Sequence, residues 1–102
     1  MRVISPKVLA RFAAEWPAAR APLSMWRRVI EKAVWRDFTD VRRTFGRTDR
    51  VRVRSGDTLL VFNIGGNKYR LVAKVSFEKG KVYLFRVMTH KEYDTGRWKE
   101  EL

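Results

Sequence analysis

Three consecutive segments decide the fold: TLLVFNI (58–64), KYRLVAKVSF (68–77) and KVYLFRVM (81–88), with GGN (65–67) and EKG (78–80) between them. Each segment is rich in β-branched and aromatic residues. Gly65-Gly66-Asn67 and Lys79-Gly80 carry the glycines that tight hairpin turns need, so the three read as an antiparallel meander. In the middle segment, alternation sends Tyr69, Leu71, Ala73, Val75 and Phe77 to one face. Lys68, Arg70, Val72, Lys74 and Ser76 go to the other. The apolar set belongs in a core. The last segment is apolar on both faces, as in a central strand.

Moving outward, VRVRS alternates from Val51 as an edge strand, with Arg50, Arg52 and Arg54 on one side and Gly56-Asp57 turning the chain. Upstream the period changes to that of helices. Arg2–Ile4 makes a short first strand. Ser5-Pro6 is a helix-start signal, with Ser as cap and Pro in the first turn. Leu9, Phe12, Ala13 and Trp16 give the first helix, and PAARAP (17–22) is a loop. A second helix starts near Pro22, with Leu23, Trp26, Val29, Ile30 and Ala33 inward. A short third helix starts at Asp37, with Phe38, Val41 and Phe45 inward, and ends near Gly46. The tail HKEYDTGRWKEEL (90–102) is polar, apart from Tyr93 and Trp98. The expected architecture is one α+β domain over residues 1–102. Helices cover one sheet face and the other is left open.

The charge says who the partner is. Lys and Arg number 23 against 11 Asp and Glu, a net +12 over 102 residues. An excess on that scale points to polyphosphate, an anionic surface or an acidic protein. A 45% hydrophobic content separates this chain from a disordered basic tail. With no cysteine and one histidine, disulfides, thiolate metal sites and histidine-rich metal sites are excluded. The apolar runs fall far short of the roughly 20 residues that a membrane helix needs. MRVISPKVLARF has no apolar run or cleavage site of a signal peptide. A cytoplasmic protein without metal or cofactor is the expectation.

On the open face, Lys68, Arg70 and Lys74 share one strand. Arg86 is added from the next strand, and Arg50, Arg52 and Arg54 from the edge. Few acids interleave, and such a surface suits phosphate oxygens. THKEYD (89–94) follows the last strand at the same end. His90 is of the residue type that exchanges protons near neutrality. Tyr93 lies one helical turn on, and Lys91 adds charge. The GGN turn is no phosphate loop, because neither GK[ST] nor a helix follows it.

The run VFNIGGNKYRLVAKV (61–75) followed by VYLFRVMTHKEYD (82–94), with MRVIS at the start and the Trp and Phe pattern of residues 35–45, resembles the HigB-type toxins. These are a branch of the RelE superfamily of mRNA interferases. The resemblance implies a RelE-like fold, with N-terminal helices on a small antiparallel sheet. It also implies a type II toxin–antitoxin pair. The toxin cuts mRNA, commonly on the ribosome, and a helix-turn-helix antitoxin of the HigA type neutralises it. The implied chemistry is metal-independent. The ribose 2′-hydroxyl attacks the adjacent phosphorus in line and the 5′-oxygen leaves. A base, an acid and cations for the phosphorane are needed. Carried onto this sequence, Arg70 and Arg86 are phosphate stabilisers, His90 the acid or base, and Tyr93 its orienting or replacing partner. Lys68, Lys74, Lys91, Arg50, Arg52 and Arg54 hold RNA. Two other readings fit the residues alone: a non-catalytic basic RNA-binding protein, and a module that meets an acidic protein.

Overall fold

A computed structural model describes all 102 residues. Strand β1 (Arg2–Ile4) precedes helices α1 (Lys7–Glu15), α2 (Arg20–Lys32) and α3 (Phe38–Thr44). Strands β2 (Asp49–Arg52), β3 (Thr58–Ile64), β4 (Tyr69–Ser76) and β5 (Lys81–Thr89) follow, then α4 (His90–Thr95) and α5 (Arg97–Glu101). The sheet order is β1-β5-β4-β3-β2. The chain starts at one edge, crosses in its helices to the other, and meanders back until β5 lies beside β1. That return makes the β1–β5 pair parallel, while the other three pairs are antiparallel. The α+β expectation holds, and the sheet is mixed rather than wholly antiparallel.

The meander forms as its alternation dictates. Gly65 and Gly66 have φ of 64° and 71°, a left-handed pair that β-carbons disfavour and that reverses the chain between the paired Ile64 and Tyr69. Between β4 and β5 the register slips at Val72/Ala73, which pair with Arg86 and Leu84. Phe85 is the extra residue of a bulge. Apolar side chains on both sides of β5 are therefore used by two cores.

The larger core lies under the first three helices. Phe62 is its centre, with Trp26, Phe45 and Trp35 rings at 5.4, 5.6 and 6.3 Å. Phe12 meets Tyr69 edge-on at 5.5 Å. The amino terminus bonds the carbonyls of Ile30 and Ala33 at 3.1 and 2.7 Å. It thereby sets a cation at the carbonyl end of α2.

The face expected to be open is instead half covered. Val53, Leu59, Val61, Val72, Met88 and Trp98 form a second core, with Val51, Tyr93 and Leu102 packed on it. The polar tail folds into α4 and α5, and Trp98 is the one large side chain that makes this covering worthwhile. PAARAP is not a loop. Pro17–Ala19 is a single 3₁₀ turn and α2 already starts at Arg20, since prolines are tolerated in first turns. Ser5 does not cap α1 through its side chain. It has φ 65°, and its carbonyl accepts from Val8 N–H. Val29, expected inward on α2, is exposed.

Candidate active site at the end of the sheet

Arg70 follows the GGN turn by three residues. Alternation puts its side chain on the face of the second core, beside Asn63 of β3 and Met88 of β5. It is only 8% exposed. One terminal nitrogen donates to the carbonyls of Asn67 and Tyr69 at 3.3 and 3.2 Å. The other donates to Asn67 Oδ1 at 2.6 Å. The guanidinium also lies over the Tyr93 ring, 5.2 Å from its centroid. No carboxylate reaches it: the ion pairs of the molecule fall elsewhere. A buried cation held only by neutral oxygens and a ring is costly. It is also a ready receptor for an incoming phosphate.

The last strand brings the second part. Thr89 pairs with Tyr69, and its side chain accepts from Glu92 N–H at 3.2 Å, which caps α4. His90 opens that helix, and its backbone N–H donates to the Lys68 carbonyl at 3.0 Å. This bond fastens THKEYD to the GGN hairpin. His90 Nδ1 lies 2.9 Å from Asp94 Oδ2, so one ring nitrogen is taken and Nε2 is left to act. One turn on, Tyr93 stacks on Trp98 at 5.4 Å, and its carbonyl accepts from the indole N–H. Gly96, with φ 72°, then lets the chain turn into α5. Burial first, and the Asp49 carboxylate second, raise the Tyr93 phenol above its ordinary pKa against the opposing pull of Arg70. Tyr93 therefore stays protonated at neutral pH, as a donor.

Of the expected residues, the structure gathers Arg70, Tyr93, His90 and the exposed Lys68 and Lys91 at one end of the sheet. Arg86 is on the same face, but two residues further along β5, opposite Val72. Its guanidinium is engaged by Glu101 of α5. Lys74 is exposed and pairs with Asp57 at 3.2 Å. The edge arginines correct the expectation of one basic face. Arg50 pairs with Leu60 and Arg52 with Thr58, so they point to the helix side. Arg50 sits on the Phe38 ring at 4.3 Å. The cause is Val51, which is needed in the second core and turns its neighbours away. Arg54 lies beyond β2, where its N–H donates to the Lys99 carbonyl.

Three residues of the site went unread in the sequence. Asp94 stands four residues after His90, a spacing that helical geometry makes meaningful. Asn67 is known as the holder of Arg70 only once the turn is folded. Asp49 arrives from the far edge of the sheet with no local signal. Nowhere do three or more His, Asp or Glu side chains converge to hold a metal ion. No helix is long and apolar enough to cross a membrane.

The comparisons bear on this arrangement. Residues 19–96 match the model of the HigB toxin family, described as the RelE-like toxic component of a toxin–antitoxin system. The mRNA interferase toxin HigB of Escherichia coli K12 is 36% identical over 94 residues, which cover 92% of this chain and 88% of that one. The mRNA interferases HigB of Escherichia coli O157:H7 and of Shigella flexneri match to the same extent. The matched segment contains the GGN hairpin, Arg70 and the whole of THKEYD. This chain thus belongs to the HigB toxin family, the RelE-like toxic component of a toxin–antitoxin system.

Proposed function

We propose that this toxin is an endoribonuclease that cleaves mRNA on the ribosome, and that Arg70, Tyr93 and His90 form its reaction centre. The observation that carries the assignment is Arg70: a nearly buried guanidinium with three hydrogen bonds and no anionic partner. The scissile phosphate supplies the missing negative charge. Its charge grows as the 2′-oxygen attacks, so a fixed cation favours the phosphorane over the ground state.

The reaction is metal-independent. The 2′-hydroxyl loses its proton as its oxygen bonds to phosphorus. The bond from phosphorus to the 5′-oxygen breaks, and that oxygen takes up a proton. The products are a 2′,3′-cyclic phosphate and a 5′-hydroxyl. His90, oriented by Asp94, exchanges a proton through Nε2, and Tyr93 donates as a neutral phenol. Lys68 and Lys91 hold the flanking backbone. Arg86 and Lys74 extend the cationic track along the face, where RNA phosphates displace Glu101 and Asp57. The chain works as one domain in the cytoplasm. Its neutralising partner is a helix-turn-helix antitoxin of the HigA type.

The test is to induce wild type, His90→Ala and Arg70→Ala separately in a bacterial host, following growth and mRNA 5′-ends by primer extension. Wild type should arrest growth and create new mRNA ends. Arg70→Ala should lower cleavage by about two orders of magnitude, as loss of one charge-stabilising donor does. Cleavage that survives Arg70→Ala removes the assignment. Wild type that leaves growth and transcripts untouched turns the centre into an RNA-binding site without chemistry.

A further inference from the structure

We propose that the outward face of α2, with the groove at its start, is the seat of the antitoxin, and that the antitoxin fills it with an acidic segment bearing apolar side chains. This rests on the toxin–antitoxin reading above. The groove encloses about 370 Å³ between Pro22, Met25, Trp26, Phe45, Ile64 and the Gly65-Gly66 turn. Met25 is 64% exposed at its rim. Val29, four residues on, is 36% exposed, and Val34, just past the helix, is 85% exposed. Spacing of four residues puts Met25 and Val29 in one stripe that leads out of the groove. Single exposed apolar residues are ordinary, but two in one helical stripe that ends in an apolar groove mark an interaction surface.

Charge chooses the occupant. Arg28 and Lys32 lie beside the stripe on α2, at helical spacing from Met25 and Val29, and both are exposed. Arg42 and Arg47 flank Phe45 in sequence and both are exposed, with the Arg42 guanidinium donating to the Gly46 carbonyl at 3.1 Å. None of the four is in an ion pair. The nearby acids are taken: Glu31 pairs with Arg27, and Asp40 with Arg36 and Arg43. An apolar stripe bordered by cations that no carboxylate answers fits a peptide with apolar residues at helical spacing and carboxylates on its flanks. RNA fits poorly, because Trp26 is buried and Phe45 is half-buried against Trp35 and Phe62, which leaves little ring face on which a base would stack. The indole N–H of Trp26, buried in the wall, has no hydrogen-bond partner. A backbone carbonyl of the seated segment would supply one after a small shift.

The groove also reaches the turn that borders the reaction centre, from the opposite side of the sheet. Gly65 and Gly66 line the groove, and Asn67 of the same turn holds Arg70. An antitoxin seated here is therefore next to the hairpin that carries the phosphate receptor.

The experiment uses Met25→Asp/Val29→Asp in the full chain, with the product of the adjacent gene as probe. Both positions are exposed, so thermal melting should match wild type and report intact folding. Growth arrest on induction reads toxicity. Rescue by co-expression of the adjacent gene, and binding of its purified product by calorimetry, read neutralisation. The expected result is undiminished arrest, lost rescue and binding at least tenfold weaker. Binding within twofold of wild type overturns the proposal, whether or not the wild type arrests growth. Failure of wild type to cleave or arrest counts against the toxin chemistry alone, because calorimetry still decides the docking face. Arrest lost with binding intact assigns the stripe to RNA or the ribosome. A wild-type dimer in solution that these substitutions make monomeric, with binding intact, assigns it to a second copy. Either outcome also overturns the proposal.

Discussion

Arg70 shows how one residue sets stability against function. Its side chain is nearly buried, and only neutral groups answer its charge. Methionine has a similar length and no charge to desolvate. Arg70→Met should therefore lower cleavage by about two orders of magnitude yet raise stability on the order of 1 kcal/mol, a shift of about 4–8 °C in Tm for a chain of this size. Thermal unfolding and an RNA cleavage assay on the same preparation check both halves. A lower Tm would mean that the bonds to Asn67 and Tyr69 outweigh the cost of burying the cation.

At the scale of the element, the start of α3 carries a small electrostatic clamp. Asp37 caps the helix by accepting from Asp40 N–H at 3.0 Å. Asp40 accepts from the backbone and the side chain of Arg36 at 2.9 and 3.0 Å. The Arg36 side-chain bond first, and its backbone bond second, hold the Asp40 carboxyl below the usual carboxylate range. A carboxyl whose pKa is lower in the folded state stabilises the fold above its unfolded pKa. That stabilisation is lost as pH falls through the lowered folded value. Asp40→Asn should therefore melt below wild type at neutral pH. The two Tm values should converge under acid conditions, which a pair of melting curves against pH reads directly. A difference that persists at the acid end would mean that packing, not charge, carries the effect.

The whole molecule is a sheet between two unequal covers, and the smaller cover belongs to the site. Trp98 is buried against Met88 and Val72, stacks on Tyr93 and bonds its carbonyl. It joins the second core to the helix that carries His90. Trp98→Ala should cost about 3–5 kcal/mol of stability, as removal of a buried aromatic does. It should also lower cleavage at temperatures where the variant is still folded. Denaturant unfolding with parallel cleavage at low temperature separates the two effects. Normal cleavage in the folded variant would show that Tyr93 holds its place without the stack.

Much of this was legible in the residues themselves. Period-two alternation around Arg70 and the glycines of the GGN turn determine the meander, because side-chain direction and turn geometry are local properties of the chain. The spacing of Leu23, Trp26 and Ile30 determines the core face of α2 for the same reason. The resemblance carried by VFNIGGNKYRLVAKV and THKEYD named the family that the comparisons show. Tertiary structure alone decided which side of the sheet is open, and to what. Arg50 and Arg52 turn toward the helices because Val51 is claimed by a core that Trp98 completes from forty-seven positions away, taken as 98 − 51. The ion-pair partner of Arg86, Glu101, and the charge of Asp49 felt by Tyr93 are likewise set by packing across the sheet. Burial and long-range electrostatics depend on distances that only the folded chain fixes.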